Sequence, residues 1–306
     1  MNRVRAQLHA EEAYRAGITG SGVTVAVLDS GICYHPDYAD RIVAFRDFVN
    51  GRAGCYDDAS HGSHVSGILG GDGKSSKGRY RGIAPGCRLI HLKILDRYGQ
   101  GNLENILKAM EWVRENRDKY NIRIMNLSAG ASKEDDDYGA RALVEGVEAV
   151  WDAGIVVVVA AGNMGPASGS ITVPGNSKKV ITIGASDDFA RGGRGGMYTE
   201  YSGCGPTKEC ICKPELVAPG TGIWSCSPFW RQGRYYNVKS GTSMSAPAVA
   251  GCIALLLERE PLLTNVEVKM RLKAAARSLG YPQNRQGWGM PDLRELLRIE
   301  GERQKK

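Results

Sequence analysis

The chain has no apolar run of the ~18 residues that a membrane-spanning helix requires. Its most apolar stretch, residues 155–161, has the length of an inner strand. The first residues, MNRVRAQL, are polar and lack the apolar core and cleavage site of a secretory leader. No C-x-x-C pair occurs among the eight cysteines, Cys33, Cys55, Cys87, Cys204, Cys210, Cys212, Cys226 and Cys252, so the common zinc spacings are missing. Cys204, Cys210 and Cys212 do cluster, and they are the one cysteine group that raises the question of a structural metal. Without a leader, an even cysteine count does not imply bridges. The expectation is free thiols and a cytoplasmic protein; a trimmed mature form would be extracellular. There is no internal repeat and no linker that would divide the chain.

Acidic residues are slightly outnumbered, 33 against 40 basic ones, for a net charge of +7. Part of the excess lies in the tail at 298–306, RIEGERQKK, which reads as a solvated, frayed terminus. A nucleic-acid site needs basic residues gathered on one face with aromatic or groove-reading partners. The single RGGRGG at 191–196 falls short of that and reads as a surface loop. With 42% apolar and 24% charged residues, the composition is that of a globular protein with a sizeable core. The reading is one domain over 1–306, with residues 1–20 as an N-terminal extension. No membrane or nucleic-acid partner is expected, and the oligomeric state is not legible.

Residues 23–28 form a β-branched apolar run bounded by Gly22 and by Asp29-Ser30-Gly31, as a buried parallel strand does. Further strands are expected at 88–95, 122–127, 155–160 and 180–184. Helical spacing marks 103–116, through Ile106, Leu107, Met110 and Val113, and 140–152, through Leu143, Val144, Val147 and Val150. An apolar helix is expected at 243–257 and another at 264–276, capped by Thr264 or Asn265. Strands that alternate with helices need crossover connections. The fold class expected is α/β, three layers, with a mostly parallel central sheet and helices on both faces.

Three segments set reactive side chains beside glycines at element boundaries. Asp29 ends the strand at 23–28, and the carboxyl ends of parallel strands line the ligand crevice; alone, it also fits a turn aspartate. His61 and His64 begin a helix with Ser60 as candidate N-cap. Their His-x-x-His spacing is not the i, i+4 zinc pair, so one histidine as base and one packed inside is the functional reading. Ser243, in GTSMSAP, sits at a helix start, where free N–H groups and positive potential favour a developing oxyanion; alone, it also fits an ordinary N-cap.

Together, VAVLDSGI, HGSHVSG and GTSMSAP closely resemble, in order, the three signature motifs of the subtilisin-like (subtilase) serine peptidases. The resemblance runs from about Val23 to Gly251. It implies Asp29, His61 and Ser243 as a catalytic triad, with Asn163, in AAGN, as the oxyanion-hole amide. It implies substrate paired as a strand between Ser128-Ala129-Gly130 and Gly99-Gln100-Gly101. Gly162 and Thr172 would adjoin the primary specificity pocket. Thr172 and Ala131 stand where many members have glycine, so the pocket is expected to be short and to favour small or medium unbranched residues, with the Thr172 hydroxyl facing the ligand. An acidic run at 134–137 follows the substrate strand, suited to a helix start or to drawing in basic residues.

The sequence also departs from the pattern. Ser63 replaces the usual threonine, and Ser245 a common alanine. No inhibitory prosegment is visible before Val23, as in a trimmed product or an intracellular-type member. The family's calcium loop is replaced by residues 71–80, GDGKSSKGRY, in which two lysines and an arginine are poor neighbours for a hard dication. Asp37 alone matches a family calcium ligand. No cofactor is required for the chemistry, and strong calcium binding is not expected. The function expected is an endopeptidase acting on protein or peptide substrates. The alternative is a catalytically silent peptide-binding protein of the same fold.

Overall fold

Strand β1 (Thr24–Asp29) is buried on both faces along its whole length. That is why its sequence is a continuous apolar run and not an alternating one. The computed structural model describes residues 1–128, 137–188 and 200–298. In it β1 lies inside a seven-stranded sheet with β2 (Ile42–Asp47), β3 (Arg88–Lys93), β4 (Ile122–Leu127), β5 (Val156–Ala160), β6 (Ile181–Ala185) and β7 (Leu216–Ala218). All neighbours run parallel, in the order β2-β3-β1-β4-β5-β6-β7. From β1 the chain first builds outward to β2 and β3, then crosses back to β4. The order therefore reverses at β1, and a crevice opens beyond the carboxyl ends of the strands there.

Among the described residues the α-helices are α1 (Asn2–Leu8), α2 (Ala10–Arg15), α3 (His61–Gly70), α4 (Leu103–Glu115), α5 (Arg117–Tyr120), α6 (Asp137–Asp152), α7 (Thr242–Arg259), α8 (Asn265–Ala274), α9 (Gln283–Gln286) and α10 (Leu293–Leu296). Helices α3 and α7 pack together, and α7 lies on β4, β5 and β6. Helices α4 and α6 form a second pair, touching β1 and β5 respectively. The fold is α/β, a parallel sheet with helices around it. Helix α7 is buried almost all round, from Met244 to Leu257, as expected of a helix without a polar face. Each fully buried Val, Leu or Ile contributes about 1.5–3 kcal/mol, so this helix is held far more firmly than its capping requires.

Residues 1–20 are not a loose extension. Val4, Leu8, Ala10 and Ala13 are buried in the main core, and the Tyr14 hydroxyl reaches the carbonyls of Gly82 and Ile83. Two features carry no strong sequence signal: the edge strand β2, half-exposed along most of its length, and an antiparallel hairpin of β8 (Ile223–Cys226) and β9 (Tyr236–Lys239). Thr264, not Asn265, caps α8, in a reciprocal capping box with Glu267. Among the described residues no helix is long and apolar enough to cross a membrane.

Candidate active site

The parallel sheet brings Asp29 to the carboxyl edge of β1, where its Oδ1 accepts the Ser30 N–H at 2.7 Å and meets His61 Nδ1 at 2.7 Å. His61 is the first residue of α3. Ser60 sits at the cap position but its side chain caps nothing, because the backbone there is left-handed, with φ at 61°. Asp57 does that work instead. Its Oδ2 accepts the Ser63 N–H, and its Oδ1 accepts the Ser60 N–H and the Ser30 hydroxyl, each at 2.8 Å. Ser30 Oγ in turn accepts the Gly62 N–H at 2.9 Å. The turn that carries the acid and the helix that carries the base are thus joined by one hydrogen-bonded relay. Lys93 locks it from below, donating to the Ser30 and Leu95 carbonyls and to Asp58 at 2.6, 2.8 and 2.6 Å.

Burial alone would raise the Asp29 carboxyl, but the adjoining His61 ring, its hydrogen bond and the Ser30 N–H hold it below the ordinary value. Burial alone would lower His61, and the Asp29 charge and hydrogen bond outweigh it, leaving the imidazole above 6.5. Such a pair fixes the ring's tautomer and favours its cation. His64 has the opposite surroundings. It is fully buried, its Nε2 bonds the Ile223 carbonyl at 2.9 Å, and burial drives its pKa down to about 3. It is a packed, neutral residue, as the choice of His61 over His64 supposes.

Ser243 is the second residue of α7, after the N-cap Gly241. Its backbone N–H therefore has no partner within the helix. Its hydroxyl donates to the Ser128 carbonyl at 2.8 Å. Asn163 follows β5, and its Oδ1 accepts the Thr242 N–H at 2.9 Å and approaches the Thr242 hydroxyl at 3.1 Å. Those contacts commit the amide oxygen and leave the Nδ2 donor beside Gly241, at the start of α7. The site thus gathers a hydrogen-bonded acid–imidazole pair, a serine at a helix N-terminus and a fixed amide donor, which is what acyl transfer demands.

A model of the Subtilase family matches residues 20–289. The chain belongs to the subtilase family. It is 44% identical over 282 residues to Serine protease AprX of Bacillus subtilis (strain 168), covering 87% of this chain and 64% of that protein. It is 34% identical over 274 residues to Subtilisin Savinase of Lederbergia lenta, covering 90% of each. Among solved structures it is similar to Sphericase, with a TM-score of 0.76 and 27% identity over 90% of this chain and 92% of the other. A cold-adapted subtilisin-like serine proteinase gives a TM-score of 0.70 at 27% identity, covering 90% and 88%. The chain spans just under two thirds of the length of AprX. The part it shares with these relatives is the subtilase domain, residues 20–289.

Around this subtilase centre, Ser128 follows β4 and is buried, with its hydroxyl held by Asn126 at 2.9 Å. Ala129, Gly130, Ala131 and residues 134–136 of the acidic run lie outside the described residues, as do the RGGRGG segment and the end of the basic tail; Asp137, the last of the run, is the first residue of α6. Across the crevice, Gly99, Gln100 and Gly101 form an exposed turn. The Asp96 N–H donates to the Gln100 carbonyl at 2.9 Å, and Gly101 bridges Leu95. Gly162 has φ at 91°, a left-handed value that favours glycine, and the Thr172 side chain lies directly against it. The Thr172 hydroxyl is turned toward the Ala161 carbonyl at 3.4 Å. That corrects the expectation that it faces a ligand: the acceptor next to it takes the hydroxyl. The departures are accommodated. Ser245 donates to the Ala218 carbonyl at 2.8 Å, and Ser63 accepts the Cys33 N–H at 3.1 Å.

Asp37 does not offer a calcium site. Its Oδ1 accepts the Ser75 N–H at 3.0 Å and its Oδ2 the Tyr236 hydroxyl at 2.6 Å. Its neighbours are His35 and Cys226, whose donor atoms lie with those of Asp37 within 4.8 Å of one another. An imidazole and a thiol are the wrong ligands for a hard cation that takes six to eight oxygens. His35 is itself engaged, Nδ1 with the Asp37 N–H at 3.1 Å and Nε2 with the Tyr235 carbonyl at 2.9 Å. Cys204, Cys210 and Cys212 are not brought together as a metal group, the first being buried and the other two exposed. The residues that no motif marked are Asp57, Lys93 and His91. Each contacts the Ser30–Gly31 turn from a segment distant in sequence, which spacing cannot reveal.

Proposed function

We propose that Ser243 is the nucleophile of this endopeptidase, His61 its general base and acid, Asp29 the group that orients His61, and Asn163 with the Ser243 N–H the oxyanion hole. The observation that carries this is the 2.7 Å Asp29–His61 bond, with His61 opening α3 and Ser243 in the first turn of α7, two helices that pack together. For catalysis the Ser243 hydroxyl leaves the Ser128 carbonyl and donates to His61 Nε2. Its oxygen attacks the scissile carbonyl while His61 takes the proton. The carbonyl oxygen becomes an anion between Asn163 Nδ2 and the Ser243 N–H. Collapse expels the amine, which leaves with the proton from His61, and an acyl-enzyme remains on Ser243. Water, deprotonated by His61, then releases the acid. The substrate lies as an extended strand between the segment after Ser128 and the turn at Gly99–Gly101, bound mainly by its main chain. Unstructured proteins and peptides are the substrates this groove suits, and no metal takes part in the chemistry.

Ser243→Ala leaves the fold unchanged and lowers turnover of an unstructured protein by several orders of magnitude, since only oxyanion and binding effects remain. A serine-directed phosphonate blocks the unaltered chain and leaves the variant unlabelled. Near-normal turnover by Ser243→Ala would overturn the assignment.

A further inference from the structure

His91 is fully buried in the middle of β3, opposite Val27 of β1 and Phe45 of β2. A buried imidazole is costly unless its polar atoms are used. Both nitrogens are used here, and both contacts lead to the catalytic pair. The Gly31 N–H donates to Nε2 at 3.1 Å, and the Ser66 hydroxyl lies 3.4 Å from Nδ1. Gly31 belongs to the turn that Asp29 opens, and Ser66 to the helix that His61 opens. Because a backbone N–H can only donate, Nε2 is the acceptor, and the ring's proton sits on Nδ1 toward Ser66.

The ring also has a steric role. A Cβ on Gly62, the residue after His61, would meet His91 Cε1 at 2.7 Å and Nε2 at 2.9 Å, and it would overlap the Gly31 carbonyl oxygen. His91 therefore sets how closely the first turn of α3 approaches the Asp29–Gly31 turn. No other side chain among the described residues is hydrogen-bonded to both Gly31 and Ser66.

Resting on the triad reading above, we propose that His91 is a positioning residue for the Asp29–His61 pair, a rigid ring that holds the acid's turn by an accepted N–H and the base's helix by contact. It touches neither substrate nor the reacting atoms. Burial keeps it uncharged, with its pKa lowered to about 4, so it orients the pair without adding a competing cation. Small misplacements at such a pair are expensive, about 10²-fold in rate for ~1 Å.

The test uses the full chain with His91→Leu, His91→Gln and His91→Asn. kcat, KM and the pH profile would be measured on a peptide amide, with active sites counted by phosphonate labelling and folding checked by thermal melting. Leu fills the space without an acceptor. Gln places its amide oxygen near the Nε2 position, whereas Asn reaches only the Nδ1 position. The expected result is a kcat per labelled site at least tenfold lower for Leu and Asn, with KM within twofold. The acid limb of the kcat/KM profile moves down in those variants as the Asp29 contact loosens, and Gln restores most of both. A folded His91→Leu with normal kcat and pH profile overturns the proposal. If His91→Leu does not fold, equal values for Gln and Asn overturn it. Ser243→Ala measured in parallel separates the two failures: if it stays active the triad reading fails, and if it is dead while the His91 variants are normal only the positioning role fails.

Discussion

At Thr172 a few atoms would decide the depth of the proposed specificity pocket. The side chain is almost fully buried against Gly162, the neighbour of Asn163, the proposed oxyanion amide. With its hydroxyl turned to the Ala161 carbonyl, the threonine acts on a substrate side chain mainly by occupying volume. Filling or freeing the space of a methyl or two in an apolar pocket changes discrimination by about 1–3 kcal/mol. The unaltered chain is therefore expected to cleave after Ala, Leu or Met in preference to Phe or Tyr. Thr172→Gly should raise kcat/KM for Phe relative to Ala by about tenfold or more. The measurement is a peptide series varied only at the cleaved position. A tenfold preference for Phe in the unaltered chain, or an unchanged ratio in the variant, would count against a pocket closed by this residue.

Among the elements, the contact between β1 and α3 matters most, because it fixes the distance between acid and base. Gly62 makes that contact possible. A Cβ there would run into the Gly31 carbonyl and the His91 ring, neither of which can retreat. Gly62→Ala should therefore push α3 away from the sheet. The expected outcome is at least a hundredfold loss of kcat/KM together with a lower thermal midpoint; a variant with normal activity would show that the helix can shift without cost. The same element pair shows what the sequence made legible. Asp29, His61 and Ser243 could be read because each must be one residue type beside small neighbours at an element end. The inner strands could be read because burial on both faces forces a continuous apolar run, and only their ends move by one or two residues. Strand β2 was not legible because half-exposed edge residues carry no period. The N-terminal helices were not, because their apolar residues make sense only once the core they dock on exists. Asp57 shows the limit in another way: it caps α3 through a turn, while the obvious cap, Ser60, has the wrong backbone conformation. Thr172 does lie against Gly162, but the direction of its hydroxyl depended on a carbonyl eleven residues away.

For the molecule as a whole, two conditions test how the fold is held, calcium and acid. A tight ion at ~1,000 times its Kd adds about 4 kcal/mol, and in a domain of this size each kcal/mol moves the midpoint by about 2–4 °C. Since Asp37 is already engaged by Ser75 and Tyr236, excess chelator and millimolar calcium should give thermal midpoints within about 2 °C of each other. A gap of ten degrees or more would reveal a strong site elsewhere. Acid should act strongly. Burial lowers the pKa of His64 to about 3 and of His91 to about 4, and lowers His35 as well. A histidine with a depressed folded-state pKa gives stability that is complete above the unfolded value, 6.5, and is lost as pH falls, because the unfolded chain takes up a proton the native state refuses. Each such group costs about 1.4 kcal/mol per pH unit below that point, and His91 alone loses about 3 kcal/mol by pH 4. His61 does not add to this loss. Its raised pKa gives stability that is full below 6.5 and disappears only as pH rises through the folded value. Asp29, with its lowered pKa, loses its contribution only in still stronger acid, from the ordinary carboxylate value downward. These histidines therefore take up protons on unfolding near pH 5, as does the buried N-terminal amine, lowered to about 5, while Asp57, whose carboxyl burial raises, offsets part of that uptake. Against a total stability of about 5–15 kcal/mol, that is enough to bring the urea midpoint down steadily from pH 6.5 to 4. Urea titrations at half-unit steps of pH give the slope directly. A midpoint that stays level between pH 6.5 and 5 would mean that these histidines reach water in the native state, and their burial in the core would have to be reconsidered.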